Sequence, residues 1–286
     1  MKKVLVIGIK GMAGHVVFRK LQQEGNYDVY GVARSIESTD KTFNLDVIHT
    51  DKLKEIIAEN QFDAVINCIG ILNKDAEDHP AKAIWFNSYF PHFLEDITKN
   101  SATKVIHIST DCVFSGKDAG GYTEESFRNG IGFYAQSKAL GEITNGKDLT
   151  IRTSIIGPEL NQNGIGLFHW FMFQSSETQL GGFTNVYWSG ITTIELAKVI
   201  IDALEKNVTG LKQISREKIS KYNLLKLFNE IFRGGKMNIV ENPDYYSDKS
   251  LVSIRNDYEY QVPDYVTMLE EMKTWIEENE IYDYKG

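Results

Sequence analysis

Only two cysteines, Cys68 and Cys112, occur in the 286 residues. They fit neither a zinc-ligand spacing nor a disulfide framework, so no metal is expected and a reducing cytoplasmic compartment is the expected location. No apolar stretch approaches the roughly 18 residues a membrane span needs. The short run Val4 to Ile7 behind Lys2-Lys3 opens a glycine turn, which a secretion signal would not do. Long runs of lysine or arginine are missing too, and the net charge is −8. Nucleic acid and anionic membrane surfaces are therefore not expected as partners, whereas a local basic pocket for a phosphate stays compatible. Internal repeats and low-complexity tracts are absent. What is left is 42% hydrophobic and 24% charged, an ordinary globular composition with room for a sizeable core.

The chain begins with a pattern of strand, glycine turn and helix. Val4 to Ile7 reads as a buried strand, Gly8-Ile9-Lys10-Gly11-Met12-Ala13-Gly14 as the turn, and Val16, Val17, Phe18 and Leu21 as the inward face of a helix. Gly8 permits the turn, Gly11 lets backbone approach a pyrophosphate, and Gly14 lets the helix pack close to the strand, with helix N–H groups aimed at the phosphates. The second strand, Asp28 to Ala33, ends without the carboxylate that would bind a ribose 2′-hydroxyl and gives Arg34-Ser35 instead. An arginine there suits a 2′-phosphate, so NADP is expected rather than NAD, with Lys10 adding charge. Asp46 is expected near the adenine amino group, and Cys68 and Gly70 where the chain passes the ribose side.

Strands at Ala64 to Asn67, Val105 to Ile108 and Leu149 to Thr153 alternate with helices at Leu53 to Ala58, Ala83 to Ile97 and Phe133 to Ile143. Asn87, on the second of these helices, is expected to tuck against the strand that follows. The alternation predicts a doubly wound parallel sheet of the Rossmann type, with ligands at the strand C-termini. The dinucleotide domain is expected over residues 1–154, with 191–214 returning to it. Residues 155–190 and 215–286, where periodicity breaks up, are expected to form a smaller substrate-binding lobe.

Tyr134 and Lys138 stand one helical turn apart after a strand that ends in Ser109-Thr110-Asp111. A phenol beside an ammonium and a strand-end hydroxyl can protonate a carbonyl oxygen while hydride arrives from a reduced cofactor. The ammonium favours the phenolate. Tyr-x-x-x-Lys also occurs at Tyr222/Lys226 and Tyr245/Lys249. Only the first pair follows a Ser-Thr strand end in the half that carries the glycine turn.

Taken together, the glycines at 8, 11 and 14, Ser109-Thr110-Asp111-Cys112-Val113-Phe114, Gly121-Tyr122-Thr123-Glu124, Tyr134-x-x-x-Lys138 and Ile151-Arg152-Thr153-Ser154-Ile155-Ile156-Gly157 resemble the extended short-chain dehydrogenase/reductases. Within them the chain is most similar to dTDP-4-dehydrorhamnose reductases, in order through about residue 200. The resemblance implies Thr110, Tyr134 and Lys138 as the catalytic set, with Lys138 also holding the ribose hydroxyls. It implies the three glycines as the dinucleotide turn and Arg34 as the 2′-phosphate partner. Related 4,6-dehydratases carry Thr-Asp-Glu at the strand end, whereas Cys112 follows Asp111 here, so the elimination glutamate is missing. The corresponding reductases usually have tyrosine at this place.

The expected function is NADPH-dependent reduction of the 4-keto group of a nucleotide-activated 6-deoxy-hexulose for cell-surface polysaccharide. The alternatives are an epimerase that retains NAD and a non-catalytic NADP-binding regulatory subunit. A nucleotide sugar is the expected partner, its base and C2 substituent are left open, and a homodimer is compatible with the sequence.

Overall fold

From Val4 onward β1 (Lys2–Ile7) is buried on both faces, as a strand covered by helices above and below must be. In the computed structural model, which describes residues 1–284, it lies beside the central strand of a seven-stranded sheet. The other strands are β2 (Tyr27–Ala33), β3 (Thr42–Asn44), β4 (Ala64–Asn67), β5 (Lys104–Thr110), β6 (Leu149–Thr153) and β7 (Gly210–Gln213), in the order β7-β6-β5-β4-β1-β2-β3. Pairs β1·β2, β1·β4, β2·β3 and β4·β5 are parallel. The winding reverses between β1 and β4, so Gly8 and Cys68 follow the two strand ends that flank the switch point. A doubly wound sheet binds ligands at such a point.

Helix α1 (Met12–Glu24) returns from β1 to β2. It starts at Met12, ahead of the periodic apolar positions, because the glycine turn runs straight into it. Helices α2 (Thr50–Asn60) and α3 (Asn73–Asp78) follow. Then α4 (Pro80–Ala83) passes through a π-turn at Ile84–Tyr89 into α5 (Phe90–Thr98). Leu5, Ile7, Val32, Leu53, Phe62, Val65, Phe90, Leu94 and Val105 form one core between these helices and the sheet. Helix α6 (Phe133–Leu140) stops before the expected Ile143. A Cβ on Gly141 would stand 1.8 Å from the Asn87 carbonyl oxygen, so the chain there is pressed backbone to backbone against the π-turn.

The chain divides into two units. The first comprises Met1–Ser109, Ile131–Arg152 and Ala197–Lys212, and the second Thr110–Gly130, Thr153–Leu196 and Gln213–Gly286. Residues 110–130 thus group with the second unit, whereas the sequence pattern assigns everything through 154 to the first. Their partners are distant in sequence. Tyr122 pairs with Leu251, and Glu124 accepts from Gln213 N, Ser253 Oγ and Ile254 N at 3.1, 2.7 and 3.0 Å.

The second unit is built of short strand pairs and helices. The Gln179–Phe183 strand pairs with Asn238–Asn242, and Val186–Trp188 lies between Ile219–Ser220 and Ser247–Asp248. Phe168 and Phe171 are fully buried against Phe228. His169 is bonded to the Tyr284 hydroxyl (2.9 Å) and the Gln162 carbonyl (3.1 Å), a structural histidine.

Candidate active site

All the residues expected to hold the cofactor belong to the first unit. Gly8 has φ +93°, which an L side chain rarely adopts. Gly11 N–H donates to Gly8 O at 2.9 Å and closes the turn. A Cβ on Gly14 would fall 2.1 Å from Gly8 O, so no side chain fits between helix and turn. Gly11 is also the N-cap of α1 and brings no side-chain cap. The first-turn N–H groups at Met12 and beyond therefore face the cradle with their partial positive charge, a fit to an anionic diphosphate.

At the end of β2, Arg34 leaves the sheet with 72% of its side chain exposed and a 3.4 Å contact to Asp46 Oδ2. Lys10 Nζ donates to Ser35 O at 3.3 Å, and Ser35 N–H is held by Asn44 Oδ1 at 3.0 Å. Two cations thus border one left-handed turn, Ser35 having φ +55°. Asp46 is occupied by Arg34 and by Ile48 N–H at 3.2 Å. Cys68 packs under Gly14, and desolvation pushes its thiol up to about 12, which makes it a spacer rather than a nucleophile. Gly70 lies close to the Asn87 amide.

Tyr134 and Lys138 share a face of α6. The helix is capped from outside by Glu77, whose carboxylate accepts from Phe133 N–H (3.0 Å) and Tyr134 N–H (3.1 Å). Gly132 has φ +92°, and a Cβ there would meet Glu77 Oε1 at 2.6 Å. Lys138 is 4% exposed; its Nζ donates to Ile108 O at 2.6 Å and lies 3.3 Å from His107 Nε2. Burial pulls its pKa down to about 8, against the opposing pull of Glu142 and Cys68.

Asn87 does not tuck against the following strand as expected. Its amide bridges Ile71, with bonds of 2.8 and 2.9 Å, and Ser137 Oγ at 3.0 Å, while Ser88 Oγ donates to Ser137 O at 2.7 Å. The π-turn thereby locks the loop after β4 to the back of α6.

Ser109 is not free at the strand end. It donates to Glu142 Oε1 at 2.7 Å, and the same carboxylate takes a two-pronged ion pair from Arg152, both contacts 2.7 Å, with both side chains at 1% exposure or less. Glu142, Glu77 and His107 have no sequence motif that singles them out, and Arg152 lies in a stretch that carries the family resemblance without a role assigned to it. The only available signal is a charged or polar residue inside or beside an apolar stretch.

Thr110 opens the second unit. Its hydroxyl donates to Asp111 Oδ1 at 3.1 Å and accepts from Cys112 N–H at 3.1 Å, so in this state its proton is committed locally. Lys249 Nζ approaches Cys112 Sγ at 3.5 Å, and burial with Asp111 nearby pushes that thiol up to about 11. Of the other Tyr-x-x-x-Lys pairs, Lys226 lies over the Tyr222 ring at 5.6 Å on the helix Lys221–Arg233, and Tyr245 is exposed in a loop. Among the described residues no His, Cys, Asp and Glu cluster could hold a metal, and no helix is long and apolar enough to cross a membrane.

Comparison with known proteins agrees with this architecture. A probable low-salt glycan biosynthesis reductase, Agl14, of Haloferax volcanii is 33% identical over 48% of this chain and 46% of that protein. A dTDP-4-dehydrorhamnose reductase of Aggregatibacter actinomycetemcomitans is 25% identical over 73% of this chain and 70% of its own. The chain thus matches about half the length of the first relative and more of the second. Among solved structures, dTDP-4-dehydrorhamnose reductase of Bacillus anthracis in complex with NADP superposes with a TM-score of 0.81 over 96% of this chain and 100% of that one, at 20% identity. The model of the RmlD substrate binding domain matches residues 1–180. Glycine cradle, switch point and Tyr134-Lys138 helix all fall inside that span, and the chain belongs to the RmlD substrate binding domain family, within the extended short-chain dehydrogenase/reductases.

Proposed function

We propose that this protein is a cytoplasmic NADPH-dependent reductase of the 4-keto group of a nucleotide-activated 6-deoxy sugar used in surface polysaccharide. The observation that carries the reading is the conjunction, in one unit, of the side-chain-free cradle at Gly8, Gly11 and Gly14 with a buried lysine one turn from Tyr134. The relatives named as dTDP-4-dehydrorhamnose reductases, one of them solved with NADP, support it. NADPH, when bound, supplies the hydride.

Gly8, Gly11, Met12 and Gly14 would hold the diphosphate, Lys10 and Arg34 the 2′-phosphate, and Cys68 and Gly70 would border the ribose. Asp46 would stand near the adenine once Arg34 turns away from it. Tyr134 donates the proton to the carbonyl oxygen. Lys138 in its charged form stabilises the phenolate this leaves and holds the ribose hydroxyls. Thr110 donates a hydrogen bond to the developing alkoxide, which requires its hydroxyl to turn from Asp111.

One relative is named as a subunit of a different enzyme, methionine adenosyltransferase 2 subunit beta, so a non-catalytic NADP-binding subunit is the second reading. The presence of both Tyr134 and Lys138 favours the enzyme. The deciding experiment is a panel of dTDP- and UDP-linked 4-keto-6-deoxy sugars monitored at the NADPH absorbance band. One NADPH consumed per sugar reduced is expected. Isomerisation across the panel with no NADPH oxidised would establish the epimerase instead.

A further inference from the structure

Behind Lys138 lies a fully buried chain of nitrogen atoms that the proposed reaction does not use. His107 on β5 and Asn67 at the end of β4 are both 0% exposed. Asn67 Nδ2 stands 3.2 Å from His107 Nδ1, and His107 Nε2 stands 3.3 Å from Lys138 Nζ. The donors and acceptors can be assigned by counting. Ile69 N–H, whose identity as a donor is fixed, is bonded to Asn67 Oδ1 at 3.1 Å, so the amide nitrogen is the end that faces the ring. His107 Nδ1 must then accept.

Burial beside Lys138 keeps His107 neutral, its pKa held well below the ordinary histidine value. A neutral imidazole carries one N–H, which this arrangement puts on Nε2, aimed at Lys138. An ammonium has three donors and no acceptor, so it would meet that N–H donor to donor. Only the free amine can accept it while donating to Ile108 O.

We infer that His107, oriented by Asn67, is a positioning residue that docks the neutral-amine form of Lys138 in the cofactor-free protein, so that charging Lys138 requires breaking the contact with His107 or turning the Asn67 amide. Its bearing on turnover rests on the reductase reading. The protonation behaviour of the cofactor-free protein does not. The groups that face Lys138 are Cys68 from the end of β4, His107 from β5, Tyr134 on its own helix and Glu142 just beyond it. Glu142 is already engaged by Arg152 and Ser109. Cys68 stays a thiol through neutral pH, and His92 adds a weaker repulsion on His107.

The test is nuclear magnetic resonance on the cofactor-free full chain, with 15N-labelled histidine and 13C-labelled lysine. Lys138 is assigned by the signal lost in Lys138→Met. His107 is expected in the Nε2–H tautomer, with Lys138 titrating near 8. In Asn67→Asp a carboxylate replaces the amide donor. Nδ1 should then carry the proton, Nε2 becomes an acceptor, and the Lys138 midpoint should rise by roughly one to two pH units. Part of that rise is direct charge attraction, so it should shrink, without vanishing, when His107→Phe is added.

In turnover, the basic limb of the kcat/KM profile of Asn67→Asp should move to higher pH in the same sense. An Nδ1–H tautomer in the native protein overturns the inference, as does an Asn67→Asp shift of full size without His107. If His107→Phe fails to fold, the 15N tautomer of the native protein and of Asn67→Asp decides the matter. Turnover that fails while the tautomer and titration behave as stated counts against the reductase reading alone.

Discussion

Arg34 and Tyr134 differ in how much their surroundings constrain them, and the difference sets what each substitution should do. The Arg34 side chain is largely exposed and its contact with Asp46 is long, so little is lost when it turns to another anion. A charge-assisted bond to a 2′-phosphate is worth roughly 1.5 to 3 kcal/mol, so native protein should prefer NADPH to NADH by at least about tenfold. Arg34→Glu should remove or reverse that preference in cofactor-binding titrations, and a native protein that uses NADH equally well would refute the assignment. Tyr134 sits on a helix held at both ends, by Glu77 and by the π-turn. Tyr134→Phe should therefore leave cofactor affinity unchanged and lower kcat by about 10²- to 10⁴-fold, the usual scale of a general acid. Tyr222→Phe and Tyr245→Phe should keep kcat. Comparable loss at either one in a folded protein would show that the wrong pair had been chosen.

Among the elements, β5, β6 and α6 are tied together by Ser109, Arg152 and Glu142, not by apolar contact alone. Breaking a buried, two-pronged ion pair costs about 3 to 5 kcal/mol, because the remaining charge stays in the interior, whereas replacing both partners with apolar residues is far cheaper. Arg152→Met should accordingly lower the thermal midpoint sharply. Arg152→Met combined with Glu142→Leu should recover much of the loss. A double variant no more stable than the single one, compared by calorimetry, would show that the pair does not act as a unit.

For the whole molecule, the buried histidines set the response to acid. Burial lowers His15 to about 4, against the opposing pull of its Nδ1 contact with Gly11 O at 2.8 Å, and burial beside Lys138 likewise holds His107 well below the ordinary histidine value. An unfolded histidine takes a proton below about 6.5, while the folded one does not until far lower pH. Protons bound only by the unfolded chain favour unfolding, so stability should fall as pH drops from about 6.5 to 4. The His15 share of that loss is about 3 kcal/mol, because each pH unit between the folded and unfolded titration midpoints is worth about 1.36 kcal/mol. His15→Gln should flatten the thermal midpoint across that interval. An unchanged slope would mean that His15 is protonated in the fold.

Much of this was legible in the chain itself, and what was legible was local. The glycine turn, Arg34 at the end of β2 and the spacing of Tyr134 and Lys138 are patterns within a few residues, set by backbone sterics and by the 3.6-residue turn. They were enough to specify strand, cradle and helix, and to identify the likeness on which the functional reading rests. Tertiary structure alone decided which distant groups share a buried volume. It joined Asn67, His107 and Lys138, pressed Gly141 against the π-turn at Asn87, brought Glu77 to the N-terminus of α6, and drew residues 110–130 to partners beyond 210. The physical reason is that a buried polar group needs a partner but carries no instruction about where in the sequence that partner lies. Only the packed fold, in which each such donor and acceptor has to be satisfied at once, selects it.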